Sequence, residues 1–220
     1  MLQIVPKAPA PPERPYFTTA SGQQIDLVDP QPEDIRFADA AHHLALITRY
    51  GGACRRFFPV AEHLLRGIQL CSIGAKPYWL AHDLHEYFFQ DDTTPKKEAL
   101  SLALEEELRA EFPLGDILKM QTALARARSA FEHRAMRACH LAAGLEWPVP
   151  DSIEAEVKHV DRVMLVSEWK ALMPGELPPA YRWPGVAPFA EAFAREPWPF
   201  EQTKNDFYSA CRRLLPAIRV

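Results

Sequence analysis

Residues 77–89 read PYWLAHDLHEYFF, an aromatic and aliphatic run interrupted by His82-Asp83 and followed by Glu86. Its apolar residues recur at helical rather than alternating spacing. The same periodicity extends from Pro32 to Met173, where prolines are sparse. Helices are expected over 33–49, 58–73, 77–90, 95–111, 115–144, 151–173 and 198–215. Pro59, Pro77 and Pro95 suit first-turn positions, where a missing N–H costs nothing. Asp151 reads as an N-cap, with Glu154 three residues on as its capping-box partner.

Proline marks both edges of this region. Five of the first fifteen residues are Pro, as expected of an extended arm, and seven more lie from Pro174 to Pro199, too many for a long helix. The expectation is all-α: one helical domain over 32–216, preceded by an extended Pro-rich N-terminal arm over 1–31.

Composition narrows the function classes. The 220 residues carry 25 Lys+Arg against 29 Asp+Glu, a formal charge of −4 that speaks against coating DNA or RNA. No apolar run approaches the roughly 20 residues that span a bilayer, so no membrane association is expected. The first fifteen residues lack the pattern of a signal peptide. Cys54, Cys71, Cys139 and Cys211 are widely separated and form no CxxC pair, which argues against a zinc ribbon or disulfide scaffold. They read as small core fillers in a soluble, cytoplasmic protein.

Ionisable residues on apolar helix faces need partners. His63 shares a face with Val60, Leu64 and Gly67. His82 and Asp83 interrupt the run quoted above, and Asp161 lies on the stripe of Val157, Val160 and Met164. Two imidazoles and two carboxylates from three helices can share one divalent cation, with water completing an octahedron: Mn, Co, Fe, Ni, and less readily Mg or Zn. The bland alternatives are a satisfied core position for either histidine and an ion pair of Asp161 with Lys158 or Arg162. Glu86 stands four residues after His82 and three after Asp83, placed to accept or steer a proton from an attacking water. The polar turn QDDTTPKK, residues 90–97, offers hydroxyl and backbone donors to a phosphate, with Lys97 nearby.

These segments, in this order, resemble the HD-domain metal-dependent phosphohydrolases, particularly bacterial 5′-deoxynucleotidases and related phage enzymes. The resemblance rests on DIRFADAAHHLALITRYGG (34–52), FFPVAEHLL (57–65), AHDLHEYFFQDDTTPKK (81–97) and EVKHVDRVMLVSEWKALM (156–173). It implies an HD-type helical bundle with one divalent ion held by His63, His82, Asp83 and Asp161. It also implies Glu86 as the catalytic carboxylate and Arg49 as the residue orienting the substrate phosphate. Tyr50 stands where those enzymes carry a tryptophan beside the sugar or base. Asp91 would contact a sugar hydroxyl or the attacking water, within a substrate turn of Asp91, Asp92, Thr93 and Thr94. Asp92 and Thr93 replace a hydrophobe and a proline of the family form. His63 and Asp83 also count among the substrate-binding residues, as does Lys97. The resemblance allows a homodimer, with the N-terminal arm available to wrap a second subunit.

The expected activity is removal of the 5′ phosphate from a deoxynucleoside monophosphate. Its rivals are a dNTP triphosphohydrolase on the same metal site, a non-catalytic nucleotide sensor, and a purely structural helical module. His85 is left undecided, and His42, His43, His133, His140 and His159 are expected to be surface or ordinary core residues.

Overall fold

The computed structural model describes residues 14–90, 93–189, 193 and 198–218. Helix α1 spans Phe37–Leu44, α2 Val60–Gly67, α3 Lys76–Ala81, α4 Glu86–Phe89, α5 Thr94–Arg109, α6 Leu114–Ala142, α7 Asp151–Leu172 and α8 Phe200–Leu214. The one sheet among the described residues is an antiparallel pair, β1 Tyr16–Thr18 and β2 Gln24–Asp26, with Phe17 opposite Ile25. The chain is all-α, as expected. No described helix is long and apolar enough to cross a membrane.

Helix α2 lies at the centre because seven of its eight residues are buried. Contacts with α1, α3, α7 and α8 enclose it. Glu62 is tolerated there because Arg66 bonds it from one turn on and Arg56 bonds it from the preceding loop. The crossing with α3 requires glycine at 67. A Cβ there would sit 2.1 Å from the Trp79 ring. The ring is tethered, since its Nε1–H donates to the Leu64 carbonyl at 2.7 Å.

Gly67→Ala sets two effects against each other. Alanine's helix propensity is worth at most about 1 kcal/mol, whereas overpacking costs roughly 1–3 kcal/mol and here meets a fully buried, tethered ring. The expected result is a lower urea midpoint with an unchanged slope. A midpoint at or above wild type would show that Trp79 can retreat.

The remaining core is built from Phe58, Leu44, Leu64, Leu80, Leu84, Tyr87, Met164 and Phe207. Cys71, Cys139 and Cys211 are buried in it as small fillers, while Cys54 is half-buried. Helices α5 and α6 pair as a hairpin, with Gln121 bonded to Glu105 and Arg128 to Ser101. Helix α5 has no buried residue, and α6 is buried at Ile117 and again at Ala135, Ala138, Cys139 and His140.

Four expectations are corrected. Residues 14–31 of the arm expected over 1–31 are not extended, and the rest of it lies outside the described residues. The hairpin β1–β2 docks on α1, where buried Asp39 accepts from the Thr19 hydroxyl at 2.6 Å and from both the backbone N–H (3.1 Å) and hydroxyl (2.6 Å) of Ser21. Three-residue strands are too short to announce themselves by alternation.

Secondly, 77–90 is not one helix. It breaks at 82–85, where backbone bonds tighten to the i→i−3 pattern: Leu84 to Ala81, Glu86 to Asp83 and Tyr87 to Leu84. The imidazole of His82 takes the Trp79 carbonyl through Nδ1 at 2.7 Å, the acceptor that an α-helix would give to the Asp83 N–H. Similarly, the run expected over 33–49 contains α only from Phe37 to Leu44.

Finally, Asp151 is not an N-cap. Pro150 holds that position without a side-chain cap, Asp151 is the first helical residue, and Glu154 bonds Lys158 at 2.5 Å.

Candidate metal centre

Helix α2 contributes His63, the 82–85 turn His82 and Asp83, and α7 Asp161. One ligand atom from each of His63, His82 and Asp161 lies within 4.8 Å of the others. His63 Nε2 is 3.7 Å from Asp161 Oδ1 and 3.8 Å from Asp83 Oδ2, and His82 Nε2 is 3.3 Å from Asp83 Oδ2. Neighbouring ligands about 2.0–2.2 Å from one ion stand roughly 3 Å apart, so a small contraction would convert this spacing into a coordination sphere.

The donor set fits a divalent ion for a second reason. The Nε2 atoms of His63 and His82 are both buried and make no hydrogen bond. Buried polar atoms of this kind are rare and need a partner. Both rings are held from behind: His82 by the Trp79 carbonyl and by stacking on the Trp79 ring at 4.4 Å, and His63 by Glu168 at 2.5 Å from its Nδ1. Burial disfavours the charged Asp83 carboxylate, but His82, His63 and Arg49 outweigh it and keep its pKa far below the ordinary range.

Asp161 differs from expectation in depth. Its side chain is 42% exposed, at the rim rather than within the apolar stripe. Lys158 is bonded to Glu154 instead, and the Arg162 guanidinium lies 5.5 Å from the Trp183 ring centroid.

Arg49 and Tyr50 belong to a tight turn, Arg49–Gly52, in which Tyr50 (φ 57°) and Gly51 (φ 59°) adopt the left-handed region. Arg49 donates through Nε to Glu168 at 3.0 Å and from a terminal nitrogen to Asp83 at 3.4 Å. The Tyr50 hydroxyl donates to Glu168 at 2.7 Å.

Glu168 is thus the member of this cluster that the sequence did not single out. It is fully buried. Burial opposes its ionisation, but Arg49 and His63 overcome this and hold its pKa below the usual carboxylate range. One signal was present: Glu168 lies seven residues after Asp161, two turns along the same helix face.

Several cavities adjoin the centre among the described residues. The largest, about 630 Å³, is lined by Arg49, Asp83, Glu86, Thr93, Thr94, Lys97, Arg128 and Asp161, which brings most of the expected site residues to one wall. Tyr50 faces a neighbouring cavity of about 340 Å³ instead, shared with Arg49, Thr94, Trp169 and Tyr181. A third, about 400 Å³, is lined by His82 together with Tyr78, His133, His140 and Trp147. His133 and His140 therefore have places near the centre that the sequence did not suggest. Burial pushes the His140 pKa down to about 4, so its ring is neutral. His85 is buried, with Nε2 3.8 Å from Glu132. Asp91 and Asp92 lie outside the described residues.

No family model matches the chain. It is similar to an uncharacterized protein of Rhodobacter capsulatus, 29% identical over 160 residues that cover 69% of each chain.

Proposed function

We propose that the protein is a metal-dependent phosphohydrolase acting on nucleotides, most simply releasing the 5′ phosphate of a deoxynucleoside monophosphate. One observation carries the reading: two buried imidazole nitrogens without hydrogen bonds converge with Asp83 and Asp161 beside a cavity that holds both an arginine and a carboxylate.

His63, His82, Asp83 and Asp161 would hold the ion. The chemistry a divalent ion supplies in such a site is Lewis acidity toward the phosphoryl group and a more acidic attacking water. Arg49, braced by Glu168, would bind the phosphate and neutralise charge building on its oxygens. Glu86 would accept or steer the proton of the water. Thr93, Thr94 and Lys97 would supply further donors to the phosphate, and the aromatic cavity of Tyr50 and Trp169 suits a base or sugar.

A second reading is release of triphosphate from a dNTP. Lys96, Lys97 and Arg128 on the wall of the larger cavity favour it, because they extend positive charge beyond Arg49. A non-catalytic sensor would give Glu86 no chemical task in that wall.

Product identification distinguishes these readings. The purified protein with Mn²⁺ or Co²⁺ is expected to release inorganic phosphate from one or more dNMPs, and Asp83→Ala is expected to abolish that release. Triphosphate from a dNTP would establish the second reading. Equal activity of wild type and Asp83→Ala across the panel would refute the proposed site, and metal and nucleotide binding without turnover would establish a sensor.

A further inference from the structure

A carboxylate in a helix normally faces water, yet Glu168 is fully buried and all its described contacts lead to this centre. Oε1 meets His63 Nδ1 at 2.5 Å, while Oε2 accepts from Arg49 Nε at 3.0 Å and from the Tyr50 hydroxyl at 2.7 Å. An ionised carboxylate can only accept, so a neutral His63 beside it must carry its proton on Nδ1. That leaves the Nε2 lone pair facing Asp83 and Asp161.

The second oxygen acts on a strained segment. Tyr50 is a non-glycine residue at φ 57°, a conformation that persists only where its surroundings enforce it. Glu168 binds both Arg49 and Tyr50, so it holds the turn from two adjacent residues.

We propose that Glu168 is a positioning residue: one oxygen holds His63 in the tautomer that can bind a metal through Nε2, and the other holds the Arg49–Tyr50 turn beside the same ion. The metal assignment rests on the function proposed above, whereas the tautomer does not.

The isosteric amide gives a sharp test. In Glu168→Gln, a single carbonyl oxygen replaces two acceptors. The Arg49 guanidinium attracts that oxygen more strongly than a neutral ring does, which turns the amide NH₂ toward His63. Nδ1 must then accept, and the proton moves to Nε2, where it blocks ligation. Tyr50→Phe removes one donor to Oε2 and leaves the His63 contact in place.

The experiment is ¹⁵N NMR of the metal-free full-length protein, taken to a pH at which the ring shifts are those of a neutral imidazole, with Mn²⁺ and Co²⁺ titrations of the same samples. Wild type and Tyr50→Phe are expected to show the Nδ1–H tautomer at His63. Glu168→Gln is expected to show Nε2–H and to bind either ion about 10–100-fold more weakly, the range typical of lost outer partners. An Nε2–H tautomer in wild type overturns the proposal without requiring any variant to fold. So does a Glu168→Gln protein with an unchanged tautomer. Failure of wild type to bind either ion would instead remove the phosphohydrolase reading, and the tautomer would still decide the role of Glu168.

Discussion

Replacing His82 with alanine is expected to weaken Co²⁺ binding by more than about 100-fold, beyond the 10–100-fold loss typical of an outer partner. Its Nε2 is buried, makes no hydrogen bond and lies 3.3 Å from Asp83, a second proposed ligand. Its Nδ1 is committed to the Trp79 carbonyl and its face to the Trp79 indole, so the side chain is fixed before any ion arrives. Preorganisation of this kind lowers the cost of binding, and alanine forfeits both the donor and the preorganisation. The loss should depend on the metal. Cobalt and nickel favour imidazole more than manganese does, and manganese is better satisfied by carboxylates and water. Asp83 and Asp161 would remain, so Mn²⁺ affinity should fall less than Co²⁺ affinity. Calorimetric titration of wild type and variant with each ion reads both quantities. Wild-type Co²⁺ affinity in His82→Ala would remove His82 from the ligand set. Equal losses for the two ions would point to general collapse of the site, which a parallel urea titration of the metal-free proteins would reveal.

The proposed ligand residues were legible because each breaks a local rule in the sequence: an imidazole or carboxylate at a position where helical periodicity expects an apolar residue. Glu168 breaks no such rule. A glutamate near the end of a helix ordinarily lies in water, and only its meeting with Arg49 and His63, 119 and 105 residues away in sequence, makes its burial tolerable. The break at 82–85 was hidden for a related reason. Periodicity counts apolar positions, whereas the break comes with an imidazole nitrogen taking a backbone acceptor. The docked hairpin at 14–31 depends on Asp39 reaching back about twenty residues to Thr19 and Ser21, in a stretch whose prolines suggest extension. In each case the missing information was a long-range or side-chain-to-backbone hydrogen bond. Helix identity needed neither.

Arg49→Lys is expected to lower kcat by about 10²–10³-fold, the cost of removing one preorganised donor from a developing negative charge, while metal affinity changes by less than about tenfold. Lysine is the informative substitution because Arg49 has two jobs. Its guanidinium joins Glu168 through Nε and Asp83 through a terminal nitrogen. Alanine would leave the buried Glu168 charge uncompensated, at a cost of about 3–5 kcal/mol in stability, so lost activity would be confounded with unfolding. Lysine keeps a positive charge near Glu168 but presents its donors from a single point, and it cannot span two carboxylates and a phosphate as the planar fork can. Turnover should therefore fall much further than stability. None of the proposed ligands is altered, which is why binding of Co²⁺ or Mn²⁺ should largely survive. A variant that turns over at the wild-type rate would show that Arg49 serves only to neutralise Glu168. A variant that loses metal and activity together would show instead that its contact with Asp83 is needed to shape the ion site.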